Sequence, residues 1–63
     1  MSTNLAIMVH LNEDEALAYA EFLKRVMPED YERRAGNEKE AADMYRAGLA
    51  IKAALREKGY DPR

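Results

Sequence analysis

His10 is the only histidine of the 63-residue chain, and Glu13 and Glu15 follow it closely. An imidazole and two carboxylates are ligand types that a divalent metal accepts. Their spacing crosses the corner between two predicted elements and matches no recognised ligand pattern, so no metal site is expected. Nucleophilic chemistry has little to work with. Cysteine is absent, and Ser2 and Thr3 stand at the terminus without a base held beside them. The three glycines lie at 36, 48 and 59, too far apart for a phosphate-cradling loop. The expectation is a protein that is not an enzyme and binds no cofactor.

Carboxylates are the remaining chemistry. Residues 1–32 hold seven acids against two bases, net −5, and residues 33–63 hold eight bases against five acids, net +3. Six of the early acids, Glu13, Asp14, Glu21, Glu29, Asp30 and Glu32, could together imitate nucleic-acid charge and engage a basic groove on a partner. Helix-start electrostatics is the competing use of the same residues. Arg33 and Arg34 stand four residues after Glu29 and Asp30, which predicts two i, i+4 ion pairs. The overall net charge of −2 carries no basic footprint for nucleic acid.

The elements that position these residues can be read from capping and periodicity. "NEDEA" at 12–16 returns as "NEKEA" at 37–41. In each, Asn can accept from a backbone N–H and a glutamate three residues on can reach back, the two halves of a capping box. The repeat therefore marks two helix starts rather than a site or a duplication. Helices are expected over 13–27 and 38–58. "PEDYERRAG" predicts a short helix over 28–35, with proline at its first position and Gly36 ending it. Ala16, Tyr19, Ala20, Leu23, Val26 and Met27 form the apolar stripe of the first helix, flanked by Phe22. Ala41, Met44, Tyr45, Gly48, Ile51 and Leu55 form that of the last. Gly48 in mid-stripe predicts close approach of another backbone. Gly59 and Tyr60 fit a Schellman ending, with 59–63 as a tail. Ala42, Leu49 and Ala53 make a second, weaker seam about 100° away, which puts Leu49 forward as a contact residue.

"LAIMVHL", residues 5–11, alternates apolar residues with period two, which predicts a strand over 4–11. The fold class expected is α+β, mainly helical, in the order β-α-α-α, as one small domain. No second strand follows, and the backbone of the first needs partners. It can pair with its own copy across a two-fold axis, add to another protein, or lie on the helices with an edge in water. Pairing with its copy is favoured because it also enlarges a small core. The first residues resemble neither a signal peptide nor a membrane span, so a cytoplasmic protein without membrane contact is expected.

Two resemblances bear on function. Strand–helix–helix order with a strand available for dimerisation resembles the ribbon-helix-helix repressors and antitoxins over residues 4–58. The outward strand residues here are Ala6, Met8 and His10, and the "MPEDYERRAG" connection is longer than that family's turn, so direct DNA readout is not expected. "LNEDEALAYAEFLKRV" and "ALREKGYDPR" are similar to small proteins of phages and mobile elements. Among these, compact acidic inhibitors of host defence, anti-CRISPR proteins included, occupy a surface on a host protein or nucleoprotein complex. The resemblance implies a non-enzymatic protein that binds and blocks a host protein, with a dimeric ribbon-helix-helix-like regulator or antitoxin as the alternative.

Overall fold

Three helices follow one another in the computed structural model, which describes residues 4–62: α1 (Glu13–Arg25), α2 (Pro28–Arg34) and α3 (Glu38–Glu57). α1 starts on a complete capping box. Asn12 Oδ1 accepts from the Glu15 N–H at 2.7 Å, and the Glu15 carboxylate accepts from the Asn12 N–H at 2.9 Å. α3 keeps only half of it. Asn37 Oδ1 accepts from the Glu40 N–H at 2.8 Å, but the Glu40 carboxylate accepts from Gly36 at 3.1 Å, one residue before the expected position. At the start of α2, Asp30 accepts from the Met27 N–H at 2.8 Å. α1 ends two residues earlier than predicted. Val26 and Met27 are both extended; at Met27 the ring of Pro28 disfavours helical backbone in the residue before it. α3 closes as a Schellman motif: Gly59 has φ 96°, and Tyr60 and Gly59 donate to the carbonyls of Leu55 and Arg56 at 2.9 Å each.

The predicted strand is absent. Residues 4–11 form no strand, and none occurs among the described residues, so the class is all-α rather than α+β. The alternation tells which side chains share a face but not what the backbone donors and acceptors meet. No second segment among the described residues offers them a ladder. Leu5, Ile7 and Val9 are left 84, 73 and 66% exposed. The ribbon-helix-helix likeness loses the element that carried it.

α3 is the spine. α1 and α2 each pack on it. Leu23 lies beside Gly48, while Ala16, Ala20 and Leu23 share a cluster with Leu55, so α1 runs antiparallel to the second half of α3. Tyr60, folded back by the Schellman turn, packs against this cluster. The buried apolar residues are Ala16, Ala20, Leu23, Ala41 and Leu55, three of them alanines. Alanines and two leucines of the predicted stripes are buried, while Tyr19, Met27 and Ile51 stay exposed. An alanine seam lets helix axes approach closely, and the bulky flanking residues are then left outside the contact. What approaches Gly48 is a side chain, not the expected backbone: a Cβ there would stand 2.5 Å from the Tyr31 hydroxyl. Tyr31 in turn meets Tyr45 edge to face, centroids 5.8 Å apart.

Candidate functional site

The six predicted contact carboxylates do not form one patch. Glu13 and Asp14 sit in the first turn of α1, and Glu29, Asp30 and Glu32 sit on α2. At about 1.5 Å per residue, the length of α1 separates the two groups by roughly 20 Å. Glu21 lies between, 3.9 Å from Arg25. Leu49, put forward as a contact residue, is 46% exposed. The expected Glu29–Arg33 and Asp30–Arg34 pairs are replaced by one between Asp30 and Arg33, a single turn apart. The carboxyl of Asp30 is held below the usual aspartate range, first by the Met27 N–H it accepts and then by Arg33 and Arg34. Asp43 is lowered likewise by hydrogen bonds from Lys39 and Arg46. Both carboxylates therefore support their own helices. His10 is exposed on the N-terminal segment, and Glu15 is engaged in its cap. No metal-binding group of three or more such side chains gathers among the described residues. Ser2 and Thr3 lie outside the described residues.

A shallow open groove between α2 and α3 brings together what the sequence kept apart. Pro28, Ala41, Ala42 and Tyr45 line it with apolar surface, and Glu32 and Glu38 border it. The groove exists because Ala41 and Ala42 are small and α2 is held off by Pro28 at its start and by the Tyr31–Tyr45 contact. The ion pairs of the described residues engage Glu21, Asp30, Asp43 and Asp61 and leave Glu32 and Glu38 free. Two unpaired carboxylates beside a tyrosine and an apolar floor suit a cationic side chain, which needs charge at its head and apolar contact along its stem. Glu38 was missed in the sequence, where it reads as a helix-start acid. Its six-residue separation from Glu32 across a loop carries no signal.

The α1–α3 pair has a second apolar area. On α1, Tyr19, Phe22 and Val26 fall about 90° to one side of the buried line through Ala16, Ala20 and Leu23. Tyr19 and Phe22 stack, centroids 5.5 Å apart. On α3, Met44, Ala47 and Ile51 flank the line through Ala41, Gly48 and Leu55 in the same sense. In antiparallel helices, equal rotations from the contact line fall on the same side, so the two sets adjoin. The groove opens on the opposite flank of α3, where Glu38, Ala42 and Tyr45 lie.

Tyr31 adds a pH response. Burial against α3 raises its phenol above the ordinary 10.0, with smaller contributions from Tyr19, Tyr45 and Asp30. The unfolded chain then loses this proton at lower pH than the folded chain does. The stabilising contribution is whole below pH 10.0 and drains away as pH rises from there. Urea denaturation of the native chain and of Tyr31→Phe at pH 8, 9, 10 and 11 is expected to show the native chain losing stability faster above about pH 10. Parallel decline of the two would show that Tyr31 is not responsible.

The chain belongs to a family of unknown function, DUF7706, whose profile matches residues 1–63. No curated protein and no solved structure matches it. No helix among the described residues is long and apolar enough to cross a membrane.

Proposed function

We propose, for a chain whose family carries no assigned activity, that it is a non-enzymatic interaction protein that binds and blocks a host protein. The groove between α2 and α3 receives a lysine or arginine of that partner. The observation behind this reading is the pairing of free Glu32 and Glu38 with the apolar floor of Pro28, Ala41, Ala42 and Tyr45. Glu29 sits on the same short helix and adds long-range attraction toward a basic surface. Leu49, one helical turn beyond Tyr45 on α3, extends the contact along that flank. Glu13, Asp14 and Glu21 serve a different part of the surface, since the length of α1 removes Glu13 and Asp14 from the groove. An anti-CRISPR-like inhibitor is the most specific form of this reading. It draws on the likeness to small phage proteins and on acidic residues that act in two groups rather than as one sheet of charge.

The test is a pull-down of basic nucleic-acid-binding host proteins by the native chain and by Glu32→Lys/Glu38→Lys, at low and at moderate salt. Capture by the native chain, lost on charge reversal and weakened by salt, is the expected result. Equal capture by the reversed variant would reject the groove as the binding site.

A further inference from the structure

We propose that the apolar flank bearing Tyr19, Phe22 and Ile51 is covered by a second copy of this chain, the N-terminal segments of the two copies being exchanged across a two-fold axis. Area is the first argument. A folded monomer of 7.2 kDa exposes about 4,100 Å² by the usual scaling of surface with mass. This chain exposes 5713 Å². The excess is about 1,600 Å² per chain and about 3,200 Å² per pair, inside the roughly 2,000–5,000 Å² that obligate homodimers bury.

Charge is the second argument. Asn4–Asn12 contains no aspartate, glutamate, lysine or arginine. Interface centres are depleted of charge in this way, whereas the exposed faces of a monomer are not. Length is the third. Leu5 to Leu11, extended, reaches about 20 Å, and the flank follows α1, whose 13 residues also run about 20 Å.

These features select the second copy as occupant. Each chain has one uncovered apolar segment and one uncovered apolar flank of matching length. Reciprocal exchange satisfies both in both copies and closes with two-fold symmetry, leaving nothing to propagate. The core gains what it lacks, since no large side chain in the single chain is fully buried. The groove bordered by Glu32 and Glu38 lies on the other flank of α3, so this assembly does not depend on the groove's function and leaves it open.

The experiment is light scattering of the full chain over a dilution series, with Ile7→Glu/Val9→Glu and Phe22→Glu as variants. A mass of twice 7.2 kDa for the native chain is expected, with both variants dissociating at least tenfold more readily. A native mass of 7.2 kDa at every concentration overturns the proposal, as does a dimer that both variants leave intact. Where circular dichroism shows a variant unfolded, cross-linking decides. Chains carrying Val9→Cys and chains carrying Phe22→Cys are mixed and oxidised. Preferential disulfide formation between the two kinds of chain supports the exchange. Disulfides only between like chains overturn it.

Discussion

Leu23→Ala is expected to lower stability by about 2–4 kcal/mol, the cost of removing a buried leucine whose cavity closes only in part. Leu23 is the large side chain at the centre of the α1–α3 contact, next to Gly48 and in one cluster with Ala16, Ala20 and Leu55. A domain of this length holds only some 3–9 kcal/mol in total, so the variant loses a large share of its stability and is unfolded at 25 °C if the native chain lies at the low end of that range. Leu17→Ala is the control. Leu17 lies on the same helix but is exposed, and such changes usually stay within about 0.5 kcal/mol. Urea denaturation followed by circular dichroism, at one fixed protein concentration, separates the two. Similar effects from both substitutions would mean that the α1–α3 contact does not hold the fold.

The second large effect is expected at Gly48, where helix propensity and packing pull in opposite directions. Alanine is preferred to glycine inside a helix by about 1 kcal/mol. The added Cβ would lie 2.5 Å from the Tyr31 hydroxyl, and a tyrosine ring has no flexible end to swing aside. Tyr31 must leave its place, and the strain of overpacking, about 1–3 kcal/mol, exceeds the propensity gain. Gly48→Ala is therefore expected to destabilise the chain, by up to about 2 kcal/mol. Tyr31→Phe removes the offending atom. The same Cβ then meets the ring carbon at 3.5 Å, an ordinary contact. The double variant Gly48→Ala/Tyr31→Phe should recover the loss and reach or pass the stability of Tyr31→Phe alone. The coupling between the sites should be about 1–3 kcal/mol and favourable. An additive pair would show that the hydroxyl does not sit against Gly48.

The same position shows how far sequence reasoning reaches. A glycine in mid-stripe announces a close approach, and one occurs. The partner was expected to be backbone and is a phenol from α2, because a helix pattern tells where space is kept and not which neighbour fills it. The carboxylates behave similarly. Asn12 and Glu15 could be assigned as a capping box because the partners are three residues apart and the geometry is local. Glu40 reached Gly36 instead of Asn37, a shift of one residue that depends on how the incoming loop turns. Glu32 and Glu38 come to border one groove through the packing of α2 on α3, which leaves no periodic trace.

By itself the sequence determined the three helices, the N-caps at Asn12 and Asn37, the interruption at Pro28 and the Schellman ending at Gly59, all of which arise from contacts within a few residues. It also determined that residues 5–11 are apolar on alternate positions. Only the tertiary structure decided that this segment is not a strand. A strand is completed by donors and acceptors on another segment, and the described residues supply none. Tertiary packing likewise decided that alanines rather than aromatic side chains fill the contact between α1 and α3. Closely approaching helices leave room for methyl groups and for a leucine set against a glycine, as Leu23 is against Gly48, and the aromatic residues on the flanks are left for another surface to cover.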